Sequence, residues 1–290
     1  IEDFNLGYAP PLIDGLFIHL VNIGYRPEDV ARSGLGFHTE KGTYFDRFRG
    51  RIVFPIFNFF GKPIGFSSRV LPGQEAVAGE AKYVNTQETP IFKKGKTLYG
   101  FHNSKNFIRQ ENKAFLVEGQ MDFLMAWQEG IKFAVATSGT ALTPDHLNTL
   151  KRYTENLILS FDADEAGATA TERSIDLANS YDFDVKVLNF KENGLSDFKD
   201  VADLAKEKPA ALGTFLNQVI PAMEFYFLRY LPQPFTKASK RDIRKVLSKI
   251  KALSSPIEQS QWLKKLAEKT KIEEKILNEE LRFIKEEKDA

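Results

Sequence analysis

The order of apolar and polar residues divides the chain into three stretches with different periods. In the first, residues 14–24 (DGLFIHLVNIG) place apolar side chains at helical spacing and stop on glycine. Arg26-Pro27-Glu28 then opens a second short helix. Residues 51–57 (RIVFPIF) and 62–70 (KPIGFSSRV) read as two strands joined by the turn Asn58-Phe59-Phe60-Gly61. Pro55 lies inside the first of them and removes a ladder donor, so that strand is expected to be an edge or to carry a bulge. Residues 71–90 are rich in Gly and Glu, poor in apolar side chains, and expected to form a loop. This stretch reads as a small α+β unit.

From Ala114 the period changes. Residues 115–117, 133–136, 157–161 and 185–188 are short apolar runs. Each is followed by a helical pattern: 121–128, a helix opened by Thr143-Pro144-Asp145, the Ala-rich 165–180, and a helix from about Val201. Thr143 is placed as an N-cap and Pro144 at the first helical position. Four strand–helix units in succession predict a mainly parallel sheet flanked by helices. After Pro209 no strand signal remains. Residues 210–230, 237–253, 256–269 and 272–288 read as amphipathic helices, with Trp262, Leu263 and Leu266, then Ile276, Leu277, Leu281 and Ile284, at 3/4 spacing. The Lys and Glu residues between them are assigned to solvated faces. The expected organisation is therefore α/β: a small basic α+β subdomain (1–113), a central sheet domain (114–208) and a helical subdomain (209–290).

Composition narrows the chemistry. With 290 residues, 42% hydrophobic and 27% charged, the chain is long enough to bury its core without a staple. It has no Cys, which excludes disulfides, thiolate zinc sites and a thiol nucleophile, and makes a reducing cytoplasm the simplest setting. No apolar run approaches the length of a membrane span, and the N-terminus lacks the pattern of a signal peptide. The 25 Phe residues are expected to be mostly core. The net charge of +1 conceals a segregation: residues 1–113 carry 15 basic and 11 acidic side chains, 114–209 carry 9 and 17, and 210–290 carry 16 and 11. Within 44–105, ten Lys/Arg face four Asp/Glu. An acidic block between basic ones suggests a metal-binding centre beside a surface for polyanions.

The acids of the middle block follow strands. Glu118-Gly119-Gln120-Met121-Asp122 comes after the first, Asp162-Ala163-Asp164 after the third, and Asp197 and Asp200 to Asp203 after the fourth. Ligands of open α/β sheets bind outside the carboxyl ends of the strands, so loops distant in sequence can meet there. Residues i and i+2 of an extended segment point the same way, which lets Asp162 and Asp164 project together. Two carboxylates ~4 Å apart repel by roughly 4 kcal/mol at an effective dielectric of 20. A cluster of them needs a cation, and hard oxygen donors without His or Cys point to Mg²⁺ or Mn²⁺. The alternative is that each acid only caps a helix, where negative charge is favoured.

VEGQMD, FDADEAG and KDVADL resemble the signature of the Toprim domain of bacterial primases, topoisomerases and some nucleases. The preceding segments LGYAP, YFDRFRGR, IGFSSRV, KYVN and KKGKTLYG are similar to the DnaG-type bacterial replicative primases, from about Phe4 to Glu207. The resemblance implies a catalytic core that polymerises ribonucleotides into short RNA primers on single-stranded DNA during replication. It implies Glu118 as catalytic acid/base or metal contact, and Asp162, Asp164 and Asp200 as ligands of two or more Mg²⁺ or Mn²⁺ ions. Position 202, where the family carries a second acid, is Ala here; the next acid is Asp203. For Asp122 a supporting or helix-start role is expected. Arg51, Arg69, Lys82, Tyr83 and Lys94 match residues associated with template or nucleotide binding. Arg47 and Arg49 alternate with Arg51 and share its face if the segment is extended, with Tyr44, Phe48 and Tyr83 as bases' stacking partners. The partners implied are single-stranded DNA, ribonucleoside triphosphates, the RNA primer and, through a domain outside this chain, the replicative helicase; a cytoplasmic monomer is expected. Because the family carries a Cys/His zinc domain ahead of the core, a chain without Cys is expected to lack it and to bind no zinc.

Other motifs carry less. Lys93-Lys94-Gly95-Lys96-Thr97 is not a phosphate-binding P-loop, since position 90 is Pro where that motif needs Gly. His19, His38, His102 and His146 have no ligand spacing. Ser138-Gly139-Thr140 reads as a turn before a capped helix. The rival readings are a Toprim nuclease or topoisomerase, and a non-catalytic binding module on the same scaffold.

Overall fold

A computed structural model of the chain describes residues 2–39, 42–71, 81–191 and 194–284. It divides into two compact units, Ile1–Glu111 with Val117–Tyr153, and Asn112–Leu116 with Thr154–Ala290.

The first unit opens with β1 (Gly7–Ala9), α1 (Gly15–Asn22), α2 (Pro27–Arg32), β2 (Gly36–His38) and β3 (Tyr44–Asp46), followed by β4 (Arg51–Phe57), β5 (Pro63–Val70), β6 (Tyr83–Asn85) and α3 (Phe101–Glu111). Strands β1, β4, β5 and β6 form an antiparallel sheet in the order β1-β4-β5-β6, and β2 pairs with β3. The strand containing Pro55 is interior rather than an edge. Its neighbour β1 pairs only with Arg51–Val53, however, and the ladder to β5 shifts register between Ile56 and Phe57. Pro55 thus sits where one ladder has ended and beside a bulge, the places where a missing N–H costs least. The expected loop 71–90 contains β6 at residues 83–85; residues 72–80 of it lie outside the described residues.

The chain continues through β7 (Ala114–Val117), α4 (Gln120–Gln128), β8 (Ala134–Ala136), α5 (Pro144–Lys151), β9 (Asn156–Ser160), α6 (Glu165–Asn179), β10 (Asp184–Val187) and α7 (Val201–Glu207). With the two-residue strand β11 (Ile220–Pro221), these supply the mainly parallel sheet that the strand–helix alternation predicts, in the order β11-β10-β9-β7-β8. Every residue of β7 and β8 is buried, which is why both read as unbroken apolar runs. Thr143 caps α5 as expected, its hydroxyl accepting the His146 N–H at 3.1 Å.

The helical tail differs from expectation at its start. Residues 210–230 do not form one helix: α8 (Leu212–Phe215) and a 3₁₀ turn give way to the two-residue strand β11 (Ile220–Pro221), antiparallel to β10, before α9 (Ala222–Tyr230). Pro221 is the physical reason, since it cannot continue a helix but is tolerated on an edge strand. Then follow α10 (Lys240–Lys251), α11 (Pro256–Thr270) and α12 (Glu274–Phe283); the last four residues of the helix expected over 272–288 lie outside the described residues. Among the described residues, no helix is long and apolar enough to cross a membrane.

Candidate active site and nucleic-acid interface

In the second unit, Asp162 and Asp164 leave the carboxyl end of β9, and Asp200 precedes α7. The two loops are tied by the main chain: Ala163 N–H donates to the Lys199 carbonyl at 2.8 Å. Asp164 caps α6, its Oδ1 accepting the Gly167 N–H at 2.7 Å, and Asp200 caps α7 through Oδ1 and the Asp203 N–H, also at 2.7 Å. The capping role set against metal binding is therefore real for both; each cap uses one oxygen, and the Oδ2 of Asp200 lies 3.8 Å from Lys199 Nζ. Asp203 turns back to accept the Lys199 N–H at 3.4 Å. Asp162, half-buried, lines a cavity of about 210 Å³ together with Asn189, Lys191 and Arg229.

Among the described residues, no three Asp, Glu, His or Cys side chains lie close enough to hold a metal ion as they stand. The donor chemistry nonetheless suits a hard cation. Asp162, Asp164 and Asp200 offer only oxygens, on two loops joined by a hydrogen bond.

Gly167 is a positioning residue that sequence reasoning missed. A Cβ there would lie 2.1 Å from the Asp162 carbonyl oxygen, so the first turn of α6 can pack against the Asp162 backbone only without a side chain. The signal was available: glycine is a poor helix former, and its presence three residues after an N-cap asks for a reason.

Behind this loop α6 is held by a half-buried ion cluster. Glu172, Arg229 and Lys249 have side chains about 15% exposed. Arg229 bonds Glu172 at 3.1 Å and Glu165 at 2.8 Å, and Lys249 reaches Glu172 at 2.9 Å and Asp176 at 2.6 Å. Tyr230 donates to Glu172 and Tyr226 to Asp176. Burial opposes the ionisation of Glu172, but the bonds from Tyr230 and Lys249 and the neighbouring cations outweigh it, and its carboxyl is held below the usual range. Burial also opposes the charge on Lys249, and the two carboxylates again prevail and raise its pKa. Arg229 and Lys249 are half-buried, and the carboxylates on α6 offset the desolvation of their charges.

In the first unit, Glu118 follows β7 and is half-buried. Its carbonyl accepts the Ser138 N–H at 2.9 Å; Ser138 has φ +58° beside Gly139 at +75°, a left-handed turn that a non-glycine residue adopts at some cost. Asp122 accepts the Gly119 N–H at 3.0 Å and so belongs to the start of α4, as expected. From Ser138 a chain of hydrogen bonds runs to the basic segment: Asn85 Nδ2 donates to the Ser138 carbonyl at 3.4 Å, and Arg47 Nε donates to the Asn85 carbonyl at 2.7 Å.

The basic residues are not one alternating strand face. Gly50 at φ +62° interrupts the segment and β4 begins only at Arg51, so Arg47 and Arg49 lie on a loop. Arg51 is 1% exposed and donates to the Lys82 carbonyl, so it braces the edge from inside instead of lining the surface. Phe48 is core, edge-on to Phe66, and Tyr44 is stacked on Phe17 at 4.1 Å, so neither ring is open to a base. Tyr83 is half-buried, with the Arg69 guanidinium 5.6 Å from its ring centre, and Lys82 is exposed. Lys94 begins a short 3₁₀ turn; its N–H donates to Glu88 at 3.0 Å. Thr143 and His146 hold the same turn, bonding the Gly95 and Lys94 carbonyls. His146 is fully buried, and that burial lowers its pKa, which suits a structural part.

Residues 1–105 match the N-terminal domain of the DNA primase catalytic core, and residues 115–204 match the Toprim-like family. The DNA primase of Clostridium acetobutylicum is 34% identical over 283 residues, covering 94% of this chain and 44% of that protein. The structure is similar to the Escherichia coli primase catalytic core, with a TM-score of 0.75 and 31% identity over 94% of this chain and 86% of that one. The chain belongs to the DnaG-type primase family. Another DnaG primase catalytic domain, solved bound to single-stranded DNA, matches with a TM-score of 0.75 and 29% identity over 93% of this chain and 86% of that chain. The chain spans less than half the length of the curated DnaG-type relatives it matches.

Proposed function

We propose that this chain is the catalytic core of a primase, synthesising short RNA primers on single-stranded DNA by divalent-metal-dependent nucleotidyl transfer during replication. The observation that carries this reading is the succession along one chain of a primase-specific N-terminal domain and a Toprim domain, which separates it from other Toprim enzymes. The solved relative bound to single-stranded DNA supports the choice of template. The proposed division is 1–113, 114–208 and 209–290.

Asp162, Asp164 and Asp200 are the proposed ligands of two or more Mg²⁺ or Mn²⁺ ions, with Glu118 as a further ligand or as the group that takes a proton. Such ions, when bound, would lower the pKa of the primer 3′-hydroxyl and neutralise the leaving pyrophosphate. The chain's own contribution is positioning. Gly167 and the Ala163–Lys199 bond fix the loops that carry the acids. Arg47, Arg49, Arg69, Lys82, Tyr83 and Lys94 would hold template or nucleotide phosphates, with Arg51 bracing them from below. The proposed setting is the bacterial cytoplasm, with the chain acting as a monomer beside a replicative helicase.

The test is incorporation of labelled ribonucleotides on a single-stranded template with Mg²⁺ or Mn²⁺. The expected result is metal-dependent RNA synthesis that Asp162→Asn abolishes, with the variant at least as stable as the parent in metal-free buffer because a repulsion is relieved. Cleavage of the strand would instead favour a Toprim nuclease, and template binding without turnover a binding module. Full activity of Asp162→Asn would sink the metal assignment.

A further inference from the structure

The cations of α10 are not all compensated alike. Six of its twelve residues are Lys or Arg and one is acidic. Lys249 is enclosed by Glu172 and Asp176, as described. Lys240, Arg241, Arg244 and Lys245 occupy i, i+1, i+4 and i+5, so two pairs of cations stand about 6 Å apart along one stripe. Of the nearby acids, Asp242 is taken up by the capping box with Ser239, and Glu280 of α12 bonds Arg244 and lies 3.8 Å from Lys240. Lys245 sits 4.8 Å from the ring centre of Tyr230. Among the described residues, one carboxylate set against four cations leaves the stripe positive.

The stripe forms one wall of a groove of about 610 Å³, and Phe283, 77% exposed, stands in the other. Lys251 donates to the Ile284 carbonyl at 2.6 Å, which fixes that second wall to α10. An open aromatic ring beside under-neutralised ammonium and guanidinium groups is the combination by which sequence-tolerant proteins hold the bases and phosphates of a single strand.

We propose that the groove between α10 and α12 is a second contact for single-stranded nucleic acid, with Lys240, Arg241, Arg244 and Lys245 on phosphodiester groups and Phe283 against a base. This rests on the polynucleotide reading above but uses none of its residues. An acidic peptide would satisfy the cations and leave the ring without a role.

The experiment is fluorescence anisotropy of labelled oligo-dT and oligo-rU, each longer than the largest single-strand site sizes of about 16 nucleotides, and of a labelled poly-Glu peptide, over a salt series. The proteins are the full chain, Arg241→Glu/Lys245→Glu, the milder Arg241→Gln/Lys245→Gln, Phe283→Ala and, as comparator, Arg49→Glu; circular dichroism confirms that each is folded. The charge reversal is expected to weaken binding at least about fivefold, and the Gln pair to reduce the log–log salt slope by about 1.4, two contacts at roughly 0.7 each. Phe283→Ala is expected to weaken binding about fivefold. A larger loss for oligo-rU assigns the groove to the RNA product, and a larger loss for oligo-dT to the template. If both charge variants bind like the parent while Arg49→Glu is weakened, the groove proposal is overturned and the primase reading stands. The groove proposal is equally overturned if the double variants lose only an acidic peptide. If the parent binds neither oligonucleotide, both readings fall.

Discussion

One cation arrangement from each unit shows two opposite ways of holding a charge. In the second unit, half-buried Arg229 and Lys249 are paired with carboxylates, so charge is cancelled where it is made. In the first, Arg47 is held by a main-chain carbonyl, which orients a guanidinium without neutralising it. The carboxylate partners of Arg229 and Lys249 fix a helix; the carbonyl partner of Arg47 leaves its charge uncancelled, whereas Arg51, bonded to the Lys82 carbonyl, is buried as a brace. On the proposed reading, Arg229 and Lys249 serve architecture, while Arg47 would serve recognition of a phosphate.

The sharpest way to break this contrast is to remove the central carboxylate. Glu172→Leu strands Lys249 and Arg229 in a half-buried setting and should cost about 2–4 kcal/mol in chemical denaturation, below the full cost of breaking a buried pair. Glu165→Gln, which removes a partner of Arg229 that is 75% exposed, should cost less than about 1 kcal/mol. Equal losses would show that burial does not set the energetics of this cluster.

Next in size is Gly167→Ala. The new methyl must displace the Asp162 backbone, at a cost of about 1–3 kcal/mol, and primer synthesis should fall far more than stability does. Activity at the parent level would mean that the position of Asp162 is immaterial.

Acid should act through the same cluster. Glu172 has a folded-state pKa below its unfolded value, so its contribution is fully present above the unfolded value, about 4.3, and is lost as pH falls through the lower folded one. Lys249 has a raised pKa, so its contribution persists up to its unfolded value, about 10.4, and fades only at higher pH. A stability profile from pH 3 to 7 should therefore slope downward at its acid end in the parent and less so in Glu172→Gln; identical slopes would place the titrating groups elsewhere.

The smallest effect belongs to the first unit. Arg47→Met should leave thermal stability nearly unchanged, weaken single-stranded DNA binding a few-fold, and reduce the salt slope by about 0.7. A large stability loss with unaltered DNA binding would make Arg47 a brace like Arg51 and erase the contrast.

What the sequence reveals follows from range. The strand–helix succession of the middle block is legible because each period is set locally, and the Thr143-Pro144 cap because its partners lie within one turn. The acids after β7 and β9 are legible because a loop begins where an apolar run stops. Features made by distant partners are hidden. The three-residue strands β1 and β6 exist only through pairing with β4 and β5. Asp46 supplies the N-terminus of α1 with acceptors for Leu16 and Phe17 from about thirty residues away, while Asp14, directly before the helix, makes no side-chain cap. The Arg47–Arg49–Arg51 alternation misleads because a single glycine at positive φ resets the direction of the chain. Phe48 and Tyr44 mislead because an aromatic ring in a basic segment fits a core and a base equally well until its neighbours are known.

The path from Arg47 through Asn85 and Ser138 to Glu118 passes at each step through a peptide oxygen. Every amino acid brings that atom, so acceptors of this kind survive substitution as long as the backbone trace does. Such wiring tolerates drift: lineages that now agree at about one position in three can keep the same alignment of parts, because the inherited element is the course of the chain rather than the side chains strung along it.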